Sequence, residues 1–159
     1  MKGFLIDTNH VGAIIREEPG VMARVNSMPP EDFPRISAIT LGEIEVGNLI
    51  TASTDQLLRD AYMRYVYDWF LPRAIEVRHT TRISYAKIIE AVLHLHPIIS
   101  ATQKTERHLV ENVGVDINDI WITAIAHEHG LTLVTDDKMT NIRTAIETSN
   151  LVVFDNWLR

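Results

Sequence analysis

The sequence predicts an α/β domain in which helices flank a central, mostly parallel β-sheet. Short apolar runs that are typical of buried strands alternate with longer stretches whose apolar residues recur at helical spacing. With 159 residues, 46% of them hydrophobic, the chain is long enough to bury a core of its own. No repeat, low-complexity run or linker divides it. We therefore expect one domain over residues 1–159.

Five short apolar runs are candidate strands, because turn residues or helix-start signals bound each of them. They lie at residues 3–6, 35–38, 74–77, 131–135 and 151–154. The run 131–135 is the most strand-like, since Gly130 precedes it and an acid follows it.

Eight stretches with helical periodicity fill the intervals, and capping residues, glycine or proline mark their ends. Asp7, Thr40 and Asn118 stand at predicted helix starts, and Gly130 stands at a predicted helix end. The predicted helices cover residues 11–15 before Pro19, 21–25 before Pro29, 40–50, 54–72, 80–95, 101–112, 118–130 and 141–148.

Composition excludes several classes of function. The chain has no cysteine, so disulfides, thiol nucleophiles and thiolate metal sites are excluded. Fifteen lysine and arginine residues against 21 acids give a net charge of -6, which argues against a protein that coats polyanions. The first apolar run is too short for a signal peptide, and no stretch is long enough for a membrane span. We therefore expect a cytoplasmic protein.

Acidic residues follow two of the predicted strands. Asp7 follows the first strand, and Asp136 and Asp137 follow the fourth. In a parallel sheet of this kind the ligand site lies outside the carboxyl ends of the strands. Glu43 and Asp119 lie in the first turns of predicted helices that the same topology brings to that edge.

Four carboxylates in one pocket repel one another and raise one another's pKa unless a cation neutralises them. Oxygen ligands without histidine or cysteine suit Mg²⁺ or Mn²⁺, which also bind the phosphate oxygens of a substrate. The pattern therefore indicates metal-assisted hydrolysis of a phosphodiester, in which the ion activates water and offsets charge on the leaving oxygen.

Each acid also has a local explanation. Asp7 can accept hydrogen bonds from the amides that begin the next helix. Glu43 stands three residues after Thr40, which is the spacing of a capping box, and Asp119 is stabilised by the dipole at a helix start. The two adjacent acids after the fourth strand fit a turn. Residue by residue, both interpretations stay open.

Four blocks of sequence carry these acids in a fixed order. The blocks are FLIDTN at 4–9, SAITLGEIEVG at 37–47, NDIWITAIA at 118–126 and HGLTLVTDD at 129–137. Together they resemble the PIN-domain ribonucleases of the VapC toxin type, and the order and spacing agree from end to end of the chain. The segment 51–82 is longer than in the shortest members, and the phenylalanine often found after the fourth acid is absent.

The resemblance implies a Mg²⁺ or Mn²⁺ site made by Asp7, Glu43, Asp119 and a fourth acid. The family's fourth acid follows its strand as threonine, any residue, then aspartate or asparagine, which places it on Asp137. The resemblance also implies residues that support the ligands, namely Asn9, Thr40, Thr135 and the intervening Asp136.

The same resemblance implies an activity and partners. The activity is endonucleolytic hydrolysis of RNA that leaves a 5′-phosphate on the downstream product. The partners are a second copy of the chain in a homodimer and a cognate antitoxin, usually a small DNA-binding protein whose tail blocks the site.

Residues outside the four blocks carry weaker signals. Tyr62, Tyr65 and Trp69 recur at helical spacing, which favours core or subunit packing over base stacking. Histidine pairs two residues apart, such as His94 and His96, do not have the spacing of a zinc-binding helix. A solvated helix face explains the densest basic stretches more often than not, but if RNA binds they are the best candidates for phosphate contacts. The residues concerned are Arg78, Arg82, Lys104 and Arg107.

Three alternatives remain beside the nuclease. A receiver-like signalling module needs a phosphoacceptor on a mid-chain strand and a lysine ending a late one, whereas Lys138 falls in a turn here. A haloacid-dehalogenase phosphatase needs an aspartate two residues after Asp7, where Asn9 stands. A PIN fold kept only as a binding module has no need of all four acids.

Overall fold

The predicted α/β architecture is confirmed in a computed structural model that describes residues 3–50, 56–99 and 103–159. Three parallel strands form its sheet, and they are β1 (Phe4–Ile6), β2 (Thr132–Val134) and β3 (Phe154–Asp155). β2 lies in the middle, with Leu133 opposite Leu5 on one side and opposite Phe154 on the other. The strands followed by Asp7 and Asp137 are therefore neighbours.

Two single bridges extend the sheet beyond β1. Arg35 pairs with Leu5, and Ile75 pairs with Ser37, both in the parallel sense. The predicted strands 35–38 and 74–77 are too long, because only isolated residues of these segments are paired. The first of them ends at Ser37, whose hydroxyl already accepts an N–H from the following helix.

β3 lies later in the chain than the predicted strand 151–154. Asn150 has a left-handed backbone with φ 52°, and the chain reaches the sheet at Val153, whose carbonyl accepts the Leu133 N–H at 2.9 Å. Leu151 and Val152 are apolar because they pack against the core, not because they pair with β2.

Eight α-helices surround the sheet in the described part of the chain. They are α1 (Thr8–Ile15), α2 (Pro19–Asn26), α3 (Ala38–Ile50), α4 (Gln56–Tyr65), α5 (Thr81–Leu95), α6 (Thr105–Arg107), α7 (Ile117–His129) and α8 (Thr140–Thr148). The predicted helix 54–72 changes character after α4, with a π-helical turn at Val66–Phe70 and a 3-10 turn at Leu71–Arg73. The predicted helix 101–112 is the short α6 followed by a π-helical turn at His108–Val113. The expected starts at Thr54 and Ala101 lie outside the described residues.

Two hydrophobic clusters cover opposite faces of the sheet, because successive strand residues point to opposite sides. Leu5 and Leu133 belong to the cluster that includes residues of α5, α7 and α8. Ile6 and Val134 belong to the cluster that includes residues of α1, α2 and α4. All four side chains are fully buried, as expected for a parallel sheet covered on both faces.

None of the helices in residues 3–50, 56–99 and 103–159 combines the length and apolar character needed to cross a membrane.

Candidate functional site

A pocket of about 290 Å³ lies at the edge of the sheet where β1 and β2 end. The four acids predicted as ligands, Asp7, Glu43, Asp119 and Asp137, all line it. Asp7 directly follows β1 and Asp137 follows β2, while α3 contributes Glu43 and the first turn of α7 contributes Asp119. The fold thus brings together carboxylates that are up to 130 residues apart in sequence, since Asp7 and Asp137 belong to neighbouring strands.

Asp7 is held by His10. Its Oδ1 accepts the backbone N–H of His10 at 2.9 Å, which caps α1, and lies 2.8 Å from the ring Nδ1 of the same residue. Burial raises the pKa of Asp7, but hydrogen bonds from His10 and Thr135 together outweigh burial and lower the pKa below its ordinary value. The protein therefore stabilises the charged form of Asp7.

Glu43 is held by residues of two other helices. Thr8 Oγ1 donates to Oε2 of Glu43 at 3.0 Å, and Asn118 Nδ2 donates to Oε1 at 3.0 Å. The capping box expected with Thr40 is absent, because α3 begins two residues earlier than predicted and Ser37 caps it by accepting the Thr40 N–H at 2.9 Å. Glu43 is therefore oriented by the pocket and not by its own helix start.

Asp119 is the acid of the pocket whose charged form is destabilised by its surroundings. Its pKa is raised to about 7. Burial is the largest cause, and repulsion by four other acids adds to it, namely Asp116, Asp137, Glu43 and Asp7. Asp116 is a fifth acid at the pocket, where it caps α7 by accepting the Asn118 N–H at 2.8 Å. A cation among these residues would relieve the repulsion.

The two adjacent acids after β2 point to different partners. Asp137 lines the pocket, and its N–H donates to Thr135 Oγ1 at 3.0 Å. Asp136 Oδ1 instead accepts from Asn156 Nδ2 at 2.7 Å and from Arg159 Nε at 3.2 Å. The hydrogen bond from Asn156, followed by the charge of Arg159, lowers the pKa of Asp136. Asp136 is thus a contact of the C-terminal segment.

The donor set of the pocket fits a hard divalent cation. Its lining offers carboxylate oxygens and threonine hydroxyls, with neither thiolate nor imidazole among them. Across the described residues, no group of three or more histidine, aspartate or glutamate side chains is close enough together to hold a metal ion. Mg²⁺ commonly takes only one or two protein carboxylates directly and keeps several waters, so it does not need such a group.

A comparison with known protein families identifies the domain that carries these acids. Residues 4–145 match the sequence profile of the PIN domain, which is most of the chain and includes all four ligand candidates. The chain belongs to the PIN domain family.

Solved structures similar to this PIN domain share its fold over nearly the whole chain. FitAB bound to an IR36 DNA fragment has a TM-score of 0.69 and 23% identity, and the match covers 98% of this chain and 96% of that one. DNA-bound VapBC from Salmonella typhimurium has a TM-score of 0.65 and 18% identity, with 99% of both chains covered. VapBC-5 from Mycobacterium tuberculosis, of the VapBC family of toxin–antitoxin systems, has a TM-score of 0.58 and 23% identity, with 98% of both chains covered. No curated protein matches the sequence.

The residues predicted to support the ligands of this PIN domain take different positions. Thr135 bonds to both Asp7 and the Asp137 amide, and Asn9 lines the pocket with an exposed side chain. Thr40 is fully buried and bonds to Ser37 Oγ at 2.8 Å, away from the pocket lining. The sequence predicts Thr40 at the start of α3, whereas the structure uses Ser37 as the cap.

The basic residues predicted to bind RNA do not line the acid pocket of the PIN domain. Arg78 and His129, the last residue of α7, line a separate pocket, whereas Asp119 lies in the first turn of α7, about 15 Å from His129 at the helical rise. The exposed Arg82 donates to the His79 carbonyl at 2.7 Å, and Arg107 pairs with Glu111 at 2.7 Å. Lys104 is exposed just before α6.

Sequence reasoning missed three residues that organise the pocket of this PIN domain. They are Thr8 and Asn118, which hold Glu43, and His10, which holds Asp7. A signal existed for His10, because a residue three positions after a helix cap lies on the same face as that cap. Thr8 and Asn118 contact Glu43 only through the fold, so their local pattern carried no such signal.

Proposed function

We propose that this PIN domain is an endoribonuclease that uses Mg²⁺ or Mn²⁺ and acts as the toxin of a toxin–antitoxin pair. The observation that carries the proposal is the pocket itself, which four carboxylates line and where burial, together with repulsion from the other acids, raises the pKa of Asp119 to about 7. Such an arrangement costs stability in the metal-free protein, and a bound cation would offset that cost.

Asp7, Glu43, Asp119 and Asp137 are the residues proposed to hold the ion. When bound, a divalent ion supplies electrophilic stabilisation of the scissile phosphate and a more acidic attacking water. The chain contributes orientation: His10 and Thr135 fix Asp7, while Thr8 and Asn118 fix Glu43. The hydrolysis adds water across the P–O3′ bond and leaves the phosphate on the 5′ end of the downstream fragment.

The experiment is cleavage of a single-stranded RNA by the purified chain with Mg²⁺, with Mn²⁺ and with chelator. We expect cleavage only with a divalent ion, downstream products that carry a 5′-phosphate, and loss of cleavage in Asp7→Asn. The Asp7→Asn preparation also controls for contaminating ribonucleases. Equal cleavage by both proteins would refute the proposal, and binding of Mn²⁺ and RNA without cleavage would favour a PIN-fold binding module.

An apolar groove of about 340 Å³ next to the acid pocket is the proposed site for the antitoxin. Ile44 of α3 and Leu58 and Tyr62 of α4 line it, and it shares Thr8 and Glu43 with the acid pocket. An amphipathic helix fits such a groove, and a cationic residue at its end would enter the acid pocket. The partner would therefore block the site that it covers.

The other face of α4 is the proposed surface for the second copy of a homodimer. Leu57 is 82% exposed there, and the rings of Tyr65 and Trp69 stack at 6.0 Å with Trp69 47% exposed. Aromatic side chains exposed in this way are typical of interface cores.

Adjacent residues of α4 separate the two surfaces in one matched experiment. Leu58→Arg should weaken binding of the small protein encoded by the neighbouring reading frame and leave the dimer intact. Leu57→Arg should give a monomer in light scattering and retain that partner. If Leu58→Arg disrupts the dimer and Leu57→Arg weakens binding of the partner, the two assignments must be exchanged. If neither variant has an effect, both assignments are refuted.

A further inference from the structure

His10 is fully buried beside the acid pocket, and both of its ring nitrogens have partners. Nδ1 lies 2.8 Å from Asp7 Oδ1, and the backbone N–H of Trp157 donates to Nε2 at 3.2 Å. One histidine thus connects a carboxylate of the pocket to the C-terminal segment, 147 residues away in sequence.

These contacts fix the tautomer of His10. A backbone N–H can only donate, so Nε2 must accept and cannot carry a proton. The proton of the neutral ring is therefore on Nδ1, which donates it to Asp7. Because the same carboxylate oxygen also accepts the His10 backbone N–H at 2.9 Å, two donors from one residue hold it.

The C-terminal segment in turn fixes the ring of His10. Trp157 is 6% exposed, and its indole packs edge-on against Phe4 at the start of β1, with 5.1 Å between ring centroids. The contacts around the end of β1 therefore form a ring, which runs from Asp7 to His10, from His10 to Trp157 and from Trp157 back to β1. The segment that carries Trp157 lies beyond the residues matched to the PIN domain, which end at 145.

We propose that His10 is a positioning residue, which sets the orientation of the Asp7 carboxylate for the divalent ion through the proton on its Nδ1. This inference rests on the proposed function, since it requires Asp7 to be a ligand. Residues that hydrogen-bond to metal ligands commonly change metal affinity or activity about 10- to 100-fold when they are replaced.

Two amide substitutions separate the two contacts of the ring. The side-chain amide of asparagine reaches the position of Nδ1, so His10→Asn keeps a donor for Asp7 and loses the acceptor for Trp157. Glutamine reaches the position of Nε2, so His10→Gln keeps the acceptor and loses the donor. His108 is a control, because it is also buried and contacts the His96 carbonyl at 2.9 Å outside the pocket lining.

The test compares Mn²⁺ affinity by calorimetry, kcat on RNA, and the free energy of unfolding in the His10 and His108 variants. His10→Asn, His10→Gln and the matching His108→Asn and His108→Gln should all lower stability, as loss of a buried polar contact does. Only His10→Gln should lower Mn²⁺ affinity and kcat, by about 10- to 100-fold, and His10→Asn should recover most of both. Equal Mn²⁺ affinity in His10→Gln and His10→Asn would overturn the inference.

The wild-type protein provides a readout that does not depend on folding of the variants. Nitrogen-15 NMR of the histidine rings should show His10 protonated on Nδ1, with a shift on addition of Mg²⁺ that is lost in Asp7→Asn. A proton on Nε2, or no shift at saturating Mg²⁺, would overturn the inference. If the wild type neither binds Mn²⁺ nor cleaves RNA, the proposed function fails instead, and the inference fails with it.

Discussion

Asp119 and Asp7 line one pocket, but their pKa values are shifted in opposite directions. Two histidine-derived donors and Thr135 lower the pKa of Asp7 despite burial, whereas burial and four other acids raise the pKa of Asp119 to about 7. The difference follows from hydrogen bonding: Asp7 accepts from N–H groups, while the surroundings of Asp119 are mainly other carboxylates. The charge of Asp119 is thus the one that a bound ion would stabilise most.

Asp119→Asn should stabilise the metal-free protein in a pH-dependent way. A raised folded-state pKa means that the folded chain binds the proton more tightly, so stability falls as pH rises from about 4 to about 7. The variant should therefore match the wild type near pH 4 and exceed it at pH 8, by about 1 to 2 kcal/mol after allowance for solvent screening. Urea unfolding at both pH values measures this, and a variant less stable at pH 8 would contradict it.

Asp136→Asn and Asp137→Asn should differ in Mn²⁺ binding. Asp137 lines the pocket, whereas Asp136 accepts hydrogen bonds from Asn156 and Arg159 of the C-terminal segment. Calorimetry should show weaker Mn²⁺ binding in Asp137→Asn and near-normal binding in Asp136→Asn. Loss of binding in Asp136→Asn alone would exchange their roles.

At the scale of elements, α3 shows where local sequence patterns succeed and fail. The helix and its acid are evident from periodicity, but the predicted start at Thr40 is wrong. The structure uses Ser37, because the extended segment that pairs with Ile75 ends there and the helix starts at once. Glu43 consequently lies in the second turn, beyond reach of a capping box, and is free of any role in starting the helix.

Ser37→Ala and Glu43→Gln should therefore have opposite consequences. Loss of the cap in Ser37→Ala should lower the free energy of unfolding by about 1 kcal/mol and leave Mn²⁺ affinity almost unchanged. Glu43→Gln should change stability little but lower Mn²⁺ affinity and RNA cleavage at least about tenfold. Thermal unfolding and calorimetry on both variants decide this. If Glu43→Gln were strongly destabilised but fully active, Glu43 would be a helix cap and not a metal ligand.

At the scale of the whole molecule, alternation of strands and helices was sufficient to predict the edge where the acids meet. Parallel strands carry their carboxyl ends to one side, so Asp7 and Asp137 had to approach each other once β1 and β2 paired. Side-chain partners across the fold were not predictable in this way. The contact of His10 with Trp157 depends on where the C-terminal segment returns, and the position of Arg78 depends on the path between Ile75 and α5.

Mn²⁺ calorimetry at pH 6 and pH 8 tests most directly whether the acid pocket is a divalent metal site. At pH 6 the metal-free protein should carry a proton on Asp119, so binding should be weaker and should release close to one proton. At pH 8 binding should be tighter and release almost none, and Asp119→Asn should abolish the difference between the two pH values. Absence of Mn²⁺ binding at both pH values, or binding that is unchanged by Asp7→Asn and Asp119→Asn, would show that the pocket is not a divalent metal site.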